Sequence, residues 1–482
     1  MTKPRQAPLP SLDPQSFEIF RKEAHAMLDS MIDHIERVPS GPVWRPMPVE
    51  VRRAFVAPVP FLGMAFAAVH EEFERLVVPY SGGNTHPRFL GWVQGGGTPY
   101  GMIAEMLAGG LNANVGGRDH APVEVERQIV RWMREIFGFP ESTSGILVTG
   151  TSIANFLAVL VAKTKRLGRE TRERGLTAEK TRLVAYTSAA AHSCVQRAME
   201  MSGLGAAALR RVPFDPDHRI DTSLLRAAIV EDRAAGLTPF LIVGSAGTVD
   251  VGAIDDLTEL AAIAAEGDLW FHVDGAFGSL AVLSPELAPK LAGLEQADSL
   301  ACDFHKWMQA PHDAGLLLVR DGEAHRATFA GEAAYLQREE RGLAAGAPWF
   351  ADYGPDLSRG FRALKIWFTL KTFGITRLGE IIAETCRLAR LLEARVAREP
   401  LLELLAPVSL NIVCFRVRYE DPAIADRINR DIVIDLQESG VAAPSTTRIN
   451  GKLAIRVAIV NHRCREPDLE LVVDAIVERA AR

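Results

Sequence analysis

The chain predicts an α/β fold, a mainly parallel sheet with helices on both faces, and two patterns carry that prediction. Short apolar runs recur from about residue 145, and between them lie segments with apolar residues at helical spacing. Runs that are apolar at every position belong to strands buried on both faces, and regular strand–helix alternation requires parallel pairing. The length of 482 residues leaves room for one large α/β domain with appendages.

Taken in order, Phe17, Phe20, Ala24, Met27, Leu28, Met31, Ile32 and Ile35 recur at helical spacing and predict an amphipathic helix over 17–38. The proline-rich stretch 39–60 reads as extended, so that helix has nothing local to lie against. Residues 1–85 are therefore expected to pack on a partner copy. Strand and helix then alternate: 146–149 with 152–165, 183–186 with 192–201, 240–243 with 256–265, followed by the strand 269–273. The stretch 330–346, rich in Ala, Gly, Glu and Arg, reads as a lid or a disordered excursion. Helices resume over 358–373 and 376–398, and 410–417, 422–439, 453–460 and 466–480 read strand, helix, strand, helix. The expected division is a helical and extended segment 1–85, a large domain 86–375 and a small α+β domain 376–482.

A net charge of -6 from 54 basic and 60 acidic residues provides no basic face for nucleic acid, which favours a small-molecule partner. The five cysteines are widely separated and lack CxxC spacing, so neither a disulfide framework nor a metal site is expected. That usage suits a reducing compartment. No leader-like apolar run opens the chain and none reaches membrane-spanning length, so the expectation is a cytoplasmic protein with no membrane partner.

Four places look chemical. The turn Thr149 to Asn155 leaves a strand and opens a helix, where free N–H groups and the helix dipole attract phosphate, and Thr151 and Ser152 add hydroxyls. His192 begins a helix, where its flat ring can stack on a flat ligand. Asp274 ends a buried strand beside Gly275 and Ala276, residues too small to block a planar ligand, and a carboxylate there needs a cationic partner. Lys306, directly after the strand-like run 298–302 and between His305 and Trp307, is expected to have its amine pKa lowered by apolar surroundings. A phosphate cradle, a stacking ring, a buried aspartate and then a lysine make up the requirement list for pyridoxal phosphate, which needs a Schiff-base amine and a carboxylate to keep its ring nitrogen protonated.

His305-Lys306-Trp307, the run His272 to Gly278, Ala191-His192-Ser193 and the stretch Ser358 to Lys365 together resemble the group II pyridoxal-phosphate decarboxylases of fold type I. That family includes aromatic L-amino acid, histidine and glutamate decarboxylases, and the resemblance runs from roughly Thr85 to the C-terminus. It implies a seven-stranded sheet, a homodimer, and removal of CO2 from an L-amino acid, preferably aromatic, to leave the amine. An acidic substrate and an aldehyde-forming variant are the alternatives. By the same resemblance Lys306 would hold the cofactor, Asp274 its ring nitrogen and Ala276 its lower face. His192 would stack above, Thr151, Ser152 and His305 would bind phosphate, and Thr248 would meet the ring's oxygen side. The family's proton donor is a tyrosine on the loop after the lysine, where this chain offers Tyr335, Trp349, Phe350 and Tyr353. An ungapped count puts Phe350 there and a three-residue shift puts Tyr353, which is the expected donor. His86, Phe89 and Trp92 resemble the family's pocket wall, and Arg118 or His120 could face an acidic or polar side chain.

Overall fold

The computed structural model describes residues 11–331 and 338–481. The short strand β1 (Phe89–Leu90) belongs to a second sheet. The main sheet comprises β2 (Ser144–Val148), β3 (Leu183–Ser188), β4 (Leu209–Val212), β5 (Thr238–Ser245), β6 (Trp270–Asp274), β7 (Ser299–Asp303) and β8 (Gly315–Val319). Their spatial order is β2-β8-β7-β6-β5-β3-β4. Pairing is parallel from β4 through β7, and only β8 runs antiparallel to both neighbours. The seven-stranded, mainly parallel sheet is thus as expected. Every residue of β3, β6, β7 and β8 is buried, which is why their sequences show no alternation.

The carboxyl ends of β2, β3, β5, β6 and β7 lie along one edge, where ligands of such sheets bind. β2 feeds the helix Thr151–Leu167, β3 leads to His192, β5 to Thr248, and β6 and β7 end in Asp274 and Asp303. Gly315 of β8 lets that helix sit directly on the sheet, since a Cβ there would lie 2.6 Å from the Cα of Gly150.

The second sheet has the order β1-β11-β12-β10-β9, with β9 (Leu402–Leu404), β10 (Ile412–Val417), β11 (Ala443–Ile449) and β12 (Lys452–Ala458). Helices Pro422–Glu438 and Glu466–Ala480 pack with it. β1 pairs in parallel with β11, so residues 89–90, expected in the large domain, join the C-terminal sheet. The helix Ala363–Arg398 links the two sheets and turns at Gly374, whose φ of 69° is outside the helical range.

Residues 358–362, expected as helix, are not helical, because the Arg359 side chain is drawn inward. Its guanidinium donates to both Glu126 oxygens and to the carbonyls of Val115 and Leu147, and Glu126 also accepts the Leu147 amide at 3.0 Å. This buried pair ties the helix Ala121–Ile136, β2 and the segment before the long helix to one point.

At the N-terminus the helix Phe17–Arg37 buries none of its residues, and Phe17 is 63% exposed. The stretch expected to be extended contains a helix, Val49–Ala54, preceded by Pro48 in extended conformation. Among the described residues no helix is long and apolar enough to cross a membrane.

Candidate active site

A cavity of about 300 Å³ opens at the carboxyl edge of the main sheet, where the second sheet closes over it. Lys306, Asp274, His192, Thr151, Thr248 and Ala276 all line it. These six expected residues are brought together from five separate strand ends.

Lys306 Nζ lies 2.9 Å from Asp303 Oδ2. Burial pulls the amine pKa down, but the charge and hydrogen bond of Asp303 outweigh it and the net shift is upward. The expected lowering is therefore corrected: the lysine is enclosed, but beside a carboxylate. Asp303 also takes the Thr151 amide at 2.8 Å and its hydroxyl at 2.9 Å. The helix N-terminus expected to cradle phosphate through Thr151 is thus capped by the chain's own carboxylate, a favourable place for negative charge. Ser152 is exposed in the first turn. Neither it nor His305 contributes to the cavity wall: the His305 ring packs 4.3 Å from that of His312 with Nδ1 2.9 Å from the Ala314 carbonyl.

Asp274 is 7% exposed. Its Oδ2 accepts Asn155 Nδ2 at 2.9 Å and its Oδ1 the Ala276 amide at 3.2 Å. Among the described residues no cation stands at ion-pair distance from it. A buried carboxylate served only by neutral donors fits a ligand that brings a positive charge. His192 caps its helix, with Nδ1 accepting the Cys194 amide at 3.2 Å, and burial lowers its pKa, so the ring is held neutral. The Thr248 hydroxyl accepts the Ala253 amide at 3.0 Å. These residues fit pyridoxal phosphate: an enclosed amine, a buried uncompensated carboxylate and a neutral flat ring share one space. The donors left for phosphate lie in the first turn after Thr151.

The residues expected to select substrate divide. Trp92 lines the cavity, 56% exposed, on a left-handed backbone with φ 54°, a conformation costly for a bulky residue. Phe89 is buried beneath it, with ring centroids 5.8 Å apart. His86 is outside the cavity: it is 1% exposed, with Nε2 at 3.1 Å from the Gly41 carbonyl and Nδ1 accepting the Arg88 amide at 3.0 Å. Arg118 lies over the Trp349 ring at 5.2 Å, and Phe350 is buried under Arg359 at 5.0 Å, neither in the wall. Tyr353, expected to donate a proton, packs against His325 at 5.0 Å, in a turn held by the bond from Trp349 N to Asp352 Oδ2. That placement contradicts a role for Tyr353 in this chain's own cavity. Tyr335 lies outside the described residues.

Sequence reasoning missed Arg456, Asp250, Ser445 and Thr447, which also line the wall. Arg456 is 4% exposed on β12 and donates to the carbonyls of Val249 and Asp250 and to Ser445 Oγ. A single arginine inside the apolar run Leu453 to Val460 was the available signal, since such residues are rarely buried without reason.

This fold and wall define a pyridoxal-phosphate enzyme of fold type I. The model of the pyridoxal-dependent decarboxylase conserved domain matches residues 48–418. The chain belongs to that family and is a pyridoxal-phosphate-dependent amino acid decarboxylase. It is 32% identical to an aromatic-L-amino-acid decarboxylase of Bacillus atrophaeus, covering 93% of this chain and 92% of that one. It is also 29% identical to an L-2,4-diaminobutyrate decarboxylase of Rhizobium meliloti, covering 97% and 93%. Among solved structures, Oryza sativa TDC with PLP and tryptamine superposes with a TM-score of 0.88 at 25% identity, covering 98% of this chain and 99% of that one.

Proposed function

We propose that the protein decarboxylates an aromatic L-amino acid to its amine, as a cytoplasmic homodimer. The observation that carries the substrate class is Trp92, an aromatic residue on the cavity wall with a left-handed backbone, packed against Phe89. A flat side chain would gain the most from such a wall. The relative from Bacillus atrophaeus supports the same reading.

When bound, pyridoxal phosphate supplies a carbonyl for exchange with the substrate amine and a cationic ring that accepts the electrons released as CO2 departs. Lys306 would be the amine that binds its carbonyl carbon, and Asp274 would pair with the ring nitrogen and hold its proton. Ala276 would leave room for the ring, neutral His192 would stack on it, and Thr248 would contact its oxygen side. Ser152 and His305, near the helix end that Asp303 caps, would take the phosphate. Arg456 has N–H groups not used by Val249, Asp250 or Ser445 and is the group placed to hold a carboxylate.

Arg456 also favours the second reading, an acidic substrate whose side-chain carboxylate it would bind. Asp250 on the same wall works against that reading, because it would repel an acidic side chain. No tyrosine among the described residues lines the cavity, which keeps the aldehyde-forming variant as the alternative outcome. The dimer is supported by the unburied apolar stripe of the helix Phe17–Arg37, and the reducing compartment by five buried free cysteines.

The test is to supply the cofactor-loaded enzyme with aromatic, diamino and acidic amino acids separately and to measure CO2, amine, aldehyde and peroxide. Amine from aromatic substrates is expected. Turnover confined to acidic or diamino substrates would overturn the substrate class, aldehyde with peroxide would overturn the product, and full turnover by Lys306→Ala would overturn the site.

A further inference from the structure

Behind Asp274 four hydrogen bonds run in series through groups that never reach the cavity. Trp270 Nε1 donates to Ser299 Oγ at 2.8 Å, and Ser299 Oγ meets His272 Nδ1 at 2.8 Å. His272 Nε2 meets Asn155 Oδ1 at 2.8 Å, and Asn155 Nδ2 donates to Asp274 Oδ2 at 2.9 Å. Ser299, His272 and Asn155 are each at most 1% exposed. The placement follows from the fold: His272 and Asp274 alternate on β6, Ser299 is the β7 register partner of His272, and Asn155 is in the opening turns of the helix Thr151–Leu167.

The donors and acceptors allow only one arrangement. The Asp274 carboxylate can only accept, so Asn155 presents its nitrogen to it and its carbonyl oxygen to His272. Nε2 of His272 therefore carries the ring proton, and in the neutral ring Nδ1 accepts the proton of Ser299, whose oxygen takes the indole N–H. Burial lowers the pKa of His272 to about 4, so the ring stays neutral and this tautomer is kept at physiological pH. Cys194 Sγ approaches the same Asp274 oxygen at 3.7 Å, so Oδ2 is fully engaged from behind. Oδ1 keeps a single backbone donor, Ala276 N.

We propose that Ser299, His272 and Asn155 are positioning residues that hold the Asp274 carboxylate in one rotation, with its less occupied oxygen turned to the cofactor's ring nitrogen. This rests on the reading that Asp274 faces that nitrogen. Packing alone does not require the chain, because apolar residues would fill the same space without four polar groups to satisfy. A relay fixed in one direction instead prevents the carboxylate from rotating away when a cation arrives or leaves, as outer partners do for metal ligands.

The experiment measures pyridoxal phosphate affinity by fluorescence quenching, the visible spectrum of the bound cofactor against pH, and kcat/KM. The proteins are wild type, Asp274→Asn, Asn155→Ala and the double variant, with Ser299→Ala as a milder variant should Asn155→Ala fail to fold. Asn155→Ala is expected to weaken cofactor binding about ten-fold and to move the spectral transition, and Ser299→Ala to do the same to a smaller degree. In the Asp274→Asn background Asn155→Ala is expected to add little, because both act through one carboxylate. Equal effects of Asn155→Ala in the two backgrounds, or an unmoved spectrum in Asn155→Ala and Ser299→Ala, would overturn the relay while leaving the site reading intact. Unchanged affinity and spectrum in Asp274→Asn alone would overturn the reading beneath it.

Discussion

Lys306 Nζ and Asp303 Oδ2 stand 2.9 Å apart, and the Thr151 hydroxyl donates to the same oxygen. The amine that must become a nucleophile is thus paired with the carboxylate that caps the neighbouring helix. Because the pKa of Lys306 is raised, the amine stays protonated to higher pH and cannot attack a carbonyl until the pH rises towards it. Capture of added pyridoxal phosphate by cofactor-free protein is expected to accelerate with pH. Asp303→Asn removes the attraction but can still accept from Thr151 N, so the midpoint of that profile moves to lower pH. Borohydride-fixed cofactor, measured against pH, checks this, and an unmoved or higher midpoint in the variant contradicts it.

Arg359 and Glu126 form the second relationship with a direct consequence. Both are buried, at 4% and 1% exposure, and share donors and acceptors with Val115 and Leu147. Arg359→Ala leaves a carboxylate buried without its partner, and a loss of about 3 to 5 kcal/mol in unfolding free energy is expected. Removing both charges with Arg359→Met and Glu126→Leu should recover part of that loss, since the stranded charge goes too. Urea unfolding of the two variants decides, and an equal loss in both would mean that the carbonyl contacts, not the ion pair, carry the stability.

The sequence was most legible where physical chemistry leaves few options. Strand-like runs identify β3, β5, β6 and β7, and His192, Asp274 and Lys306 follow from where β3, β6 and β7 stop, whereas Thr248, after β5, came from the family resemblance. β4 was missed because it is a short edge strand, Leu-Arg-Arg-Val, with polar residues at its centre. Arg456 and Asp250 were missed for a different reason. Arg456 reaches the cavity through the pairing of β12 with β11, a long-range contact, and Asp250 stands in the turn after β5, two residues past Thr248, where no strand or helix pattern marks it. His86 sits in the segment that resembles the family's pocket wall, but its ring is engaged by Gly41 and Arg88, and Arg118 lies over Trp349, so neither lines the cavity.

Tyr353 supplies a prediction about product. Its ring lies against His325, and burial raises its pKa, so it is neither in the cavity nor easily ionised. Tyr353→Phe is expected to leave the ratio of amine to aldehyde unchanged, measured by chromatography with peroxide followed in parallel. The same measurement on Tyr335→Phe tests the other phenol of the 327–356 segment. A rise in aldehyde from Tyr353→Phe would show that the turn around Asp352 opens during turnover.

His86 gives a prediction about stability and pH. Burial, helped by the charge of Arg88, lowers its pKa from 6.5 to about 4. The geometry agrees: Nδ1 accepts the Arg88 amide, so a proton there would displace that bond, while Nε2 reaches the Gly41 carbonyl. Between pH 6.5 and about 4 the unfolded chain binds this proton and the folded chain does not, so stability is complete above the window and falls as the pH drops through it. From pH 7 to pH 5 this one histidine should remove about 2 kcal/mol of unfolding free energy. His272 and His462, also lowered to about 4, steepen the fall in the same direction, so the total slope does not isolate His86. The comparison that does is His86→Asn, which is less stable at neutral pH through lost packing but should have the smaller difference between the two pH values, by about 2 kcal/mol. Urea unfolding of both proteins at each pH measures that difference. If wild type and variant lose the same stability on acidification, His86 is not titrating between the folded and unfolded states.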